Sequence, residues 1–273
     1  MDKRVVDYSE YVEIADGVYW VGFSDDQAGF HCNPYLIVDG DDAVLIDGGS
    51  RNDFSTVMLK IMRTGTDPHK ISKLIYQHYD PDLCGNIPHM EAAIDNKELK
   101  IISHRENNVF IEYYSPRAPK ICIEDLGFVY DFPSGRQLKF FPTPYSHSAG
   151  SFVTLDTKTK TLFSSDIFGS YDMNWSLFSE IDEKCAKCVP KNPCLITKKP
   201  CQIIGVWDFH KRIMPSTIAL HYAISLIEDL NISMIAPQHG SIYNTAVARK
   251  VVIDRLKYLE NVGIEHFLAE RSK

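Results

Sequence analysis

The sequence lacks an excess of positive charge and lacks a long apolar run. Its 29 lysines and arginines are outnumbered by 36 aspartates and glutamates, which gives a formal net charge of −7. A general nucleic-acid-binding protein would carry a basic surface, so we expect no nucleic-acid partner. The uncharged stretch 213–227, which contains His221, is shorter than the ~20 apolar residues that a membrane-spanning helix needs. We therefore expect no membrane span.

The chain also lacks the apolar core of a secretory signal peptide, because charged side chains interrupt residues 1–7. A cytoplasmic location, where cysteine thiols stay reduced, is the expectation. No segment rich in glycine and serine separates one part of the sequence from another. The length of 273 residues suits one large domain or two small ones. Because candidate strands and helices alternate along both halves, we predict a single α/β domain over residues 1–273.

Short apolar segments bounded by turn residues predict strands. They cover residues 17–23, 35–38, 43–46, 71–76, 100–103, 138–141, 152–155, 161–164 and 233–236. A later apolar stripe at helical spacing comprises Leu220, Ala223, Ile224 and Ile227. It predicts a helix that starts at Pro215, since proline suits a first helical position.

Histidines and aspartates stand at the ends of several predicted strands, where open sheets place their ligands. The six residues concerned are His78, Asp80, Asp82, His147, Asp166 and His239. The first three alternate along one segment in which Pro81 disfavours helix, so an extended chain would send them to one side. Imidazole and carboxylate groups together suit iron, manganese or zinc. We predict that these six residues bind metal. The other histidines, apart from His31, show no partner pattern and are treated as structural.

A second group of metal-binding side chains lies in a segment with little periodicity. Four cysteines fall between positions 185 and 201: Cys185, Cys188, Cys194 and Cys201. Four thiolates can bind one tetrahedral ion or an iron–sulfur cluster. The spacing is not diagnostic, so a [4Fe–4S] cluster, a zinc ion and redox-active thiols all stay open. We interpret residues 171–205 as an inserted, cysteine-rich lid.

The order of the six histidines and aspartates resembles that of the metallo-β-lactamase superfamily. His-x-Asp-x-Asp at residues 78–82 is followed, as in that superfamily, by the three later ligand candidates. Residues 44–49, Val-Leu-Ile-Asp-Gly-Gly, resemble the first motif of the superfamily. The resemblance covers about residues 12–265. It implies an α/β fold in the form of a four-layer αββα sandwich, with the metal site at one edge.

One departure from the zinc hydrolases of the superfamily points to a subfamily. Asp80 stands where such hydrolases usually have histidine, and Leu83 offers no ligand where many relatives have one. A carboxylate at this place is similar to the flavodiiron proteins and the oxygen-binding diiron proteins. The resemblance then implies two Fe ions with the following ligands: His78, Asp80 and His147 on one, Asp82 and His239 on the other, and Asp166 as a bridge.

The resemblance also implies an activity and its partners. Flavodiiron proteins bind and reduce O2 or NO with electrons from the FMN of a flavodoxin-like domain, which has no counterpart in this sequence. We therefore expect no FMN in this chain, and an external rubredoxin-like or flavoprotein-like donor or a cluster on the four cysteines as the source of electrons. His31 and Tyr171 are candidate catalytic residues beside the irons. Relatives often pair, so a homodimer is a further expectation.

Two alternatives share the same fold. One is a sensor of O2 or of redox state that binds without turnover. The other is a dinuclear zinc hydrolase with metal-bound hydroxide as nucleophile. Asp80 and Leu83 count against the hydrolase, because they remove two histidines that such enzymes favour.

Overall fold

The structure, a computed structural model, describes residues 6–23, 31–115, 117–171 and 175–271. These residues contain twelve strands: β1 Val12–Ala15, β2 Val18–Trp20, β3 Tyr35–Asp39, β4 Asp42–Ile46, β5 Ile71–Ile75, β6 Lys100–Ser103, β7 Lys120–Cys122, β8 Val129–Asp131, β9 Gln137–Pro142, β10 Phe152–Asp156, β11 Thr161–Phe163 and β12 Met234–Ala236.

The helices of the described residues alternate with these strands. They are α1 Phe54–Arg63, α2 Pro81–Cys84, α3 Ile87–Ile94, α4 Arg105–Ile111, α5 Glu183–Lys187, α6 Gln202–Ile213, α7 Thr217–Glu228, α8 Ala246–Lys257 and α9 Ile264–Arg271, with single-turn 3₁₀ helices at Arg51–Asp53 and Pro68–Lys70. None of the described helices is both long enough and apolar enough to cross a bilayer.

The strands form two mixed sheets. One has the order β1-β2-β3-β4-β5-β6-β7, with antiparallel neighbours up to β4 and parallel neighbours from β4 to β7. The other has the order β12-β11-β10-β9-β8, in which β11 runs antiparallel to β10 and parallel to β12. Mixed sheets with interspersed helices agree with the predicted α/β class.

The chain divides into two compact units. Of the described residues, unit 1 contains 6–23, 32–115, 117–140 and 157–159, and unit 2 contains 31, 141–156, 160–171 and 175–271. The single domain and the lid over 171–205 are not tested by this division and stay predictions.

The core of unit 1 lies along its central strands. Leu45 of β4 and Leu74 of β5 are at most 1% exposed, and Val57 and Ile61 of α1 are fully buried. A strand that is covered on both faces reads as a continuous apolar run, as the last four residues of β4 do, whereas β5 has the half-buried Ser72 and Lys73 between its apolar residues. The polar side chains His78, Asp80 and Asp82 of unit 1 follow one of these strands, β5.

The core of unit 2 includes the apolar stripe of α7. Its four predicted residues, 220, 223, 224 and 227, are all buried, as expected. The prediction that this helix starts at Pro215 is wrong. The hydroxyl of Ser216 accepts a hydrogen bond from the backbone N–H of Ala219, so Ser216 is the N-cap and α7 begins at Thr217.

Candidate metal centre

Three predicted ligands come together in unit 1. His78, Asp80 and Asp82 follow β5, and one ligand atom of each lies within 4.8 Å of the other two. Nε2 of His78 is 3.9 Å from a carboxylate oxygen of Asp80. His78 is 1% exposed, so its ring is held away from bulk water. A buried imidazole grouped with two carboxylates is a donor set for a divalent transition metal.

The backbone of this loop differs from the extended segment predicted from the sequence. Asp80 is extended, with φ −66° and ψ 153°, but Pro81 is the first residue of α2. Asp82 therefore lies in a helical turn, and the prediction that Pro81 keeps the segment out of a helix is wrong. Proline suits this first position because the N–H that it lacks would have no helical partner. The three side chains converge through a helix start instead of through strand alternation.

Unit 2 brings the remaining three predicted ligands together around one carboxylate. Nε2 of His147 lies 3.0 Å from Oδ2 of Asp166, and Nε2 of His239 lies 3.5 Å from Oδ1 of the same side chain. Asp166 is 3% exposed. Each oxygen of this buried carboxylate thus faces a different imidazole, which is the arrangement that a carboxylate bridging two metal ions requires.

The protonation of His239 follows from its other nitrogen. Nδ1 lies 3.0 Å from the main-chain carbonyl oxygen of His31, which can only accept a hydrogen bond. In the neutral ring Nδ1 therefore carries the proton and Nε2 presents a lone pair toward the carboxylate of Asp166. Two electron-pair donors that face each other in a buried place are stabilised by a cation that binds both. The residues of unit 2 therefore fit a metal ion.

The loop that carries Asp166 has an unusual backbone and is held by two side chains. Ser165 and Phe168 both have positive φ, 53° and 70°. The N–H of Phe168 donates to Nε2 of His210 at 3.1 Å, and the hydroxyl of Tyr243 donates to the carbonyl of Phe168 at 3.0 Å. These bonds offset the cost of the strained residues that flank Asp166.

His210 is the supporting residue that the sequence did not reveal. Burial lowers the pKa of His210 to about 4, so the ring is neutral near pH 7. Its Nδ1 lies 2.7 Å from the carbonyl of Val206 and donates to it, which leaves Nε2 free to accept from Phe168. No pattern around position 210 signals this role, because the partner is 42 residues away in the chain.

The two candidate catalytic residues lie in unit 2. The ring of His31 stacks on Trp175, with centroids 4.4 Å apart and planes 19° apart. The ring of Tyr171 lies 5.0 Å from that of Phe209, and the guanidinium of Arg212 lies 5.0 Å over its face. His31 bears on the site through its carbonyl, as described above. Catalytic roles for the side chains of His31 and Tyr171 stay predictions.

Comparison with known proteins identifies relatives over most of the chain. A family described as "ODP family beta lactamase" matches residues 30–240. The chain is 26% identical to the uncharacterized protein MJ0732 of Methanocaldococcus jannaschii, over 85% of this chain and 56% of that protein. It is 24% identical to the anaerobic nitric oxide reductase flavorubredoxin of Aeromonas salmonicida, over 95% of this chain and 48% of that protein. The chain thus spans about half the length of these curated relatives.

Solved structures agree with the sequence relatives. The structure of the peroxy diiron species of the chemotaxis sensor ODP superposes with a TM-score of 0.73 at 27% identity, over 95% of this chain and 97% of that one. Rubredoxin oxygen:oxidoreductase of Desulfovibrio gigas superposes with a TM-score of 0.74 at 21% identity, over 91% of this chain and 61% of that one. The predicted metallo-β-lactamase fold and the resemblance to diiron proteins of that fold are confirmed.

Proposed function

We propose that this chain, which belongs to the family described as "ODP family beta lactamase", is a non-haem diiron protein. In this proposal it binds O2 or NO and reduces it. The observation that supports this best is the carboxylate of Asp166, whose two oxygens face Nε2 of His147 and Nε2 of His239. A diiron relative that aligns over nearly its whole length supports iron as the metal.

In this proposal the six predicted residues bind the irons as the family resemblance implies. The assignment is His78, Asp80 and His147 to the first iron, Asp82 and His239 to the second, and Asp166 to both. The donor chemistry is consistent with iron, because three carboxylates and three imidazoles offset the charge of two divalent ions and tolerate the ferric state.

The bound iron pair supplies redox-active ions at which a small gas can bind. The chain's own residues prepare that place. The carbonyl of His31 holds His239 in the tautomer that can bind metal. Leu83, which is fully buried and next to Asp82, offers no donor atom. Leu83 therefore adds no ligand to the iron that Asp82 would bind.

Reduction of O2 or NO needs electrons, and we propose an external donor in the cytoplasm. A rubredoxin-like or flavoprotein-like donor is consistent with the relatives, one of which is a flavorubredoxin and another a rubredoxin oxygen:oxidoreductase. The four cysteines of residues 185–201 offer a second route for electrons. A homodimer, which would bring donor and irons of different chains together, is part of the same proposal.

A sensor that binds gas without turnover is the second candidate. The observation that favours it is the match to the chemotaxis sensor ODP, which covers 97% of that chain, whereas the oxidoreductases match over about half of theirs. The zinc hydrolase is the third candidate, and Asp80 and Leu83 count against it, as above.

The deciding experiment is metal analysis with an absorption spectrum on protein purified without oxygen, followed by measured consumption of O2 and NO with a chemical reductant. About two Fe per chain at this site and catalytic consumption of gas are expected. Spectral change on gas binding without consumption would support the sensor. Two Zn per chain from iron-replete cells, with no visible absorption, would overturn the diiron proposal in favour of the hydrolase.

A further inference from the structure

The four cysteines between positions 185 and 201 take no part in the proposed diiron site, and the fold of unit 2 collects them. All four are thiols and line one cavity. Cys185 lies in α5, Cys188 caps its end, and Cys201 is the N-cap of α6. Cys194 lies between the two helices. The segment thus folds so that its cysteines surround a common space.

The first two cysteines sit in a turn that a distant arginine holds. Nη2 of Arg255, from α8, donates to the carbonyls of Cys185, Ala186 and Cys188 at 2.9, 3.3 and 2.7 Å. Three carbonyls that converge on one guanidinium fix the backbone of a Cys-x-x-Cys turn before any ligand binds. Burial raises the pKa of the Cys185 thiol, so a metal that binds there has to displace its proton.

Cys194 lies in a tight turn with its own hydrogen-bond donors. Its N–H donates to the carbonyl of Lys199 at 2.8 Å, and its carbonyl accepts from the N–H of Lys198 at 2.9 Å. Hydrogen bonds from the backbone and hydroxyl of Thr197 and from the backbone of Ile196 lower the pKa of the Cys194 thiol. Donors aimed at a cysteine sulfur stabilise the anionic thiolate that binds metal.

The distances between the four cysteine sulfurs bear on whether the site binds one metal ion or an iron–sulfur cluster. A zinc ion with Zn–S bonds of about 2.3 Å would hold its four sulfurs roughly 3.8 Å apart. In the part of the chain that the structure describes, which includes all four cysteines, no three of their sulfurs lie within 4.8 Å of one another. An iron–sulfur cluster binds each thiolate at a separate iron, so its sulfurs stand farther apart. The sulfurs of the described cysteines are thus not gathered at the spacing of a zinc site, which counts against a single zinc ion.

The charge of the segment matches an iron–sulfur cluster. Residues 184–199 include five lysines and no aspartate or glutamate. Two ferrous ions, two ferric ions, four sulfides and four thiolates sum to a charge of 2−. Of these lysines Lys199 lines the cavity, and Glu180 lines it as well, so the complement to a cluster's negative charge comes from the positive charge of the segment as a whole.

We propose that Cys185, Cys188, Cys194 and Cys201 bind one [4Fe–4S] cluster. On binding, each thiol loses its proton to solvent and forms one S–Fe bond. The site lies within unit 2 and does not depend on the diiron proposal.

The test uses the full chain, purified without oxygen and then reconstituted with ferrous iron, ferric iron and sulfide. We expect about four acid-labile sulfides per chain and the broad visible sulfide-to-iron absorption. Cys194→Ser is expected to lose more than half of the sulfide. Cys122→Ser, a half-buried cysteine of β7 in unit 1, is the matched control and should retain all of it.

Three results would overturn the proposal: full sulfide content in Cys194→Ser, one zinc ion per chain that only the four cysteines retain, or no sulfide above that of an unrelated protein after reconstitution. Circular dichroism verifies that each variant folds. Asp166→Ala separates the two proposals, since it should remove the diiron pair and leave labile sulfide unchanged. If this variant loses iron at the six-ligand site but keeps its labile sulfide, the cluster on the four cysteines is supported independently of the diiron site.

Discussion

Nδ1 of His239 lies 3.0 Å from the main-chain carbonyl oxygen of His31, and this contact determines which nitrogen of His239 faces Asp166. The imidazole of His31 takes no part in this contact. The sequence points to that imidazole as a catalytic candidate, and it gives no sign of the contact made by the main-chain oxygen. Because the carbonyl accepts from Nδ1, Nε2 keeps its lone pair toward the carboxylate. The candidate site is therefore set up for metal by a main-chain atom.

Removal of the His239 ring should weaken the proposed site by one ligand. In His239→Ala we expect the iron in excess of labile sulfide to fall from about two to about one per chain or fewer, because the second iron would keep only carboxylate ligands. The measurement is the iron and labile sulfide content of anaerobically purified protein, with His266→Ala as the control, since that histidine lies in α9, 3.6 Å from Glu270. Unchanged iron in His239→Ala would contradict the assignment.

Leu83 is the position where an added ligand should strengthen metal binding. Leu83→His places an imidazole next to Asp82, and we expect slower loss of iron to a chelator than in the unaltered protein. Leu83→Met, which conserves volume without adding a nitrogen ligand, is the control. Equal rates in the two variants would show that side chains at position 83 do not reach the metal.

His210 should make the free energy of unfolding depend on pH between about 6.5 and 4. Its pKa is about 4 in the folded protein and 6.5 as a free group. Above pH 6.5 both states are neutral and the effect vanishes. As the pH falls below 6.5 only the unfolded chain takes the proton, so the free energy of unfolding drops, by up to roughly 3 kcal/mol near pH 4.

Urea unfolding at several pH values tests this dependence. The variant His210→Gln removes the titrating group while it keeps a polar side chain near Phe168, so its stability should vary less between pH 6.5 and 4. An identical pH dependence in the variant and the unaltered protein would assign the effect to other groups.

Arg255 is a positioning residue for the cysteine turn. Arg255→Lys keeps the positive charge but loses the planar group that donates to three carbonyls. We expect reconstituted labile sulfide to fall at least twofold, with little change in iron at the six-ligand site. Arg249→Lys, also in α8, is the control, because its guanidinium donates to the carbonyl of Ser233 instead. Full sulfide in Arg255→Lys would remove the positioning role.

The strands and the six ligand candidates could be predicted because both depend on local sequence. Strand β4 ends in an apolar run and β6 contains two adjacent isoleucines, and the candidate ligands lie in segments that follow strands. Strands β7 and β8 were missed, because none of their residues is fully buried and neither strand shows a clear alternation. The short length leaves too little pattern to distinguish them from loop.

The starts of helices depended on single hydrogen bonds that a residue pattern does not specify. Pro81 begins α2, although the residue type also fits an extended segment, and Ser216 rather than Pro215 defines the start of α7. The support of Asp166 by His210 and Tyr243 depends on tertiary packing of α6 and on a segment beyond β12. Such contacts between distant residues could not be predicted from one sequence.

The left-handed backbone of Ser165 has a mechanical consequence. The carbonyl of Ser165 accepts the N–H of Gln238 at 2.8 Å, so the residues that directly precede Asp166 and His239 are bonded to each other. The backbone segments that carry Asp166 and His239 are therefore held at a fixed separation by this hydrogen bond. If an ion bound between the two side chains changed its charge, both side chains would move only slightly. Electron transfer is fast when the ligands of the ion move little, because the reorganisation energy is then small.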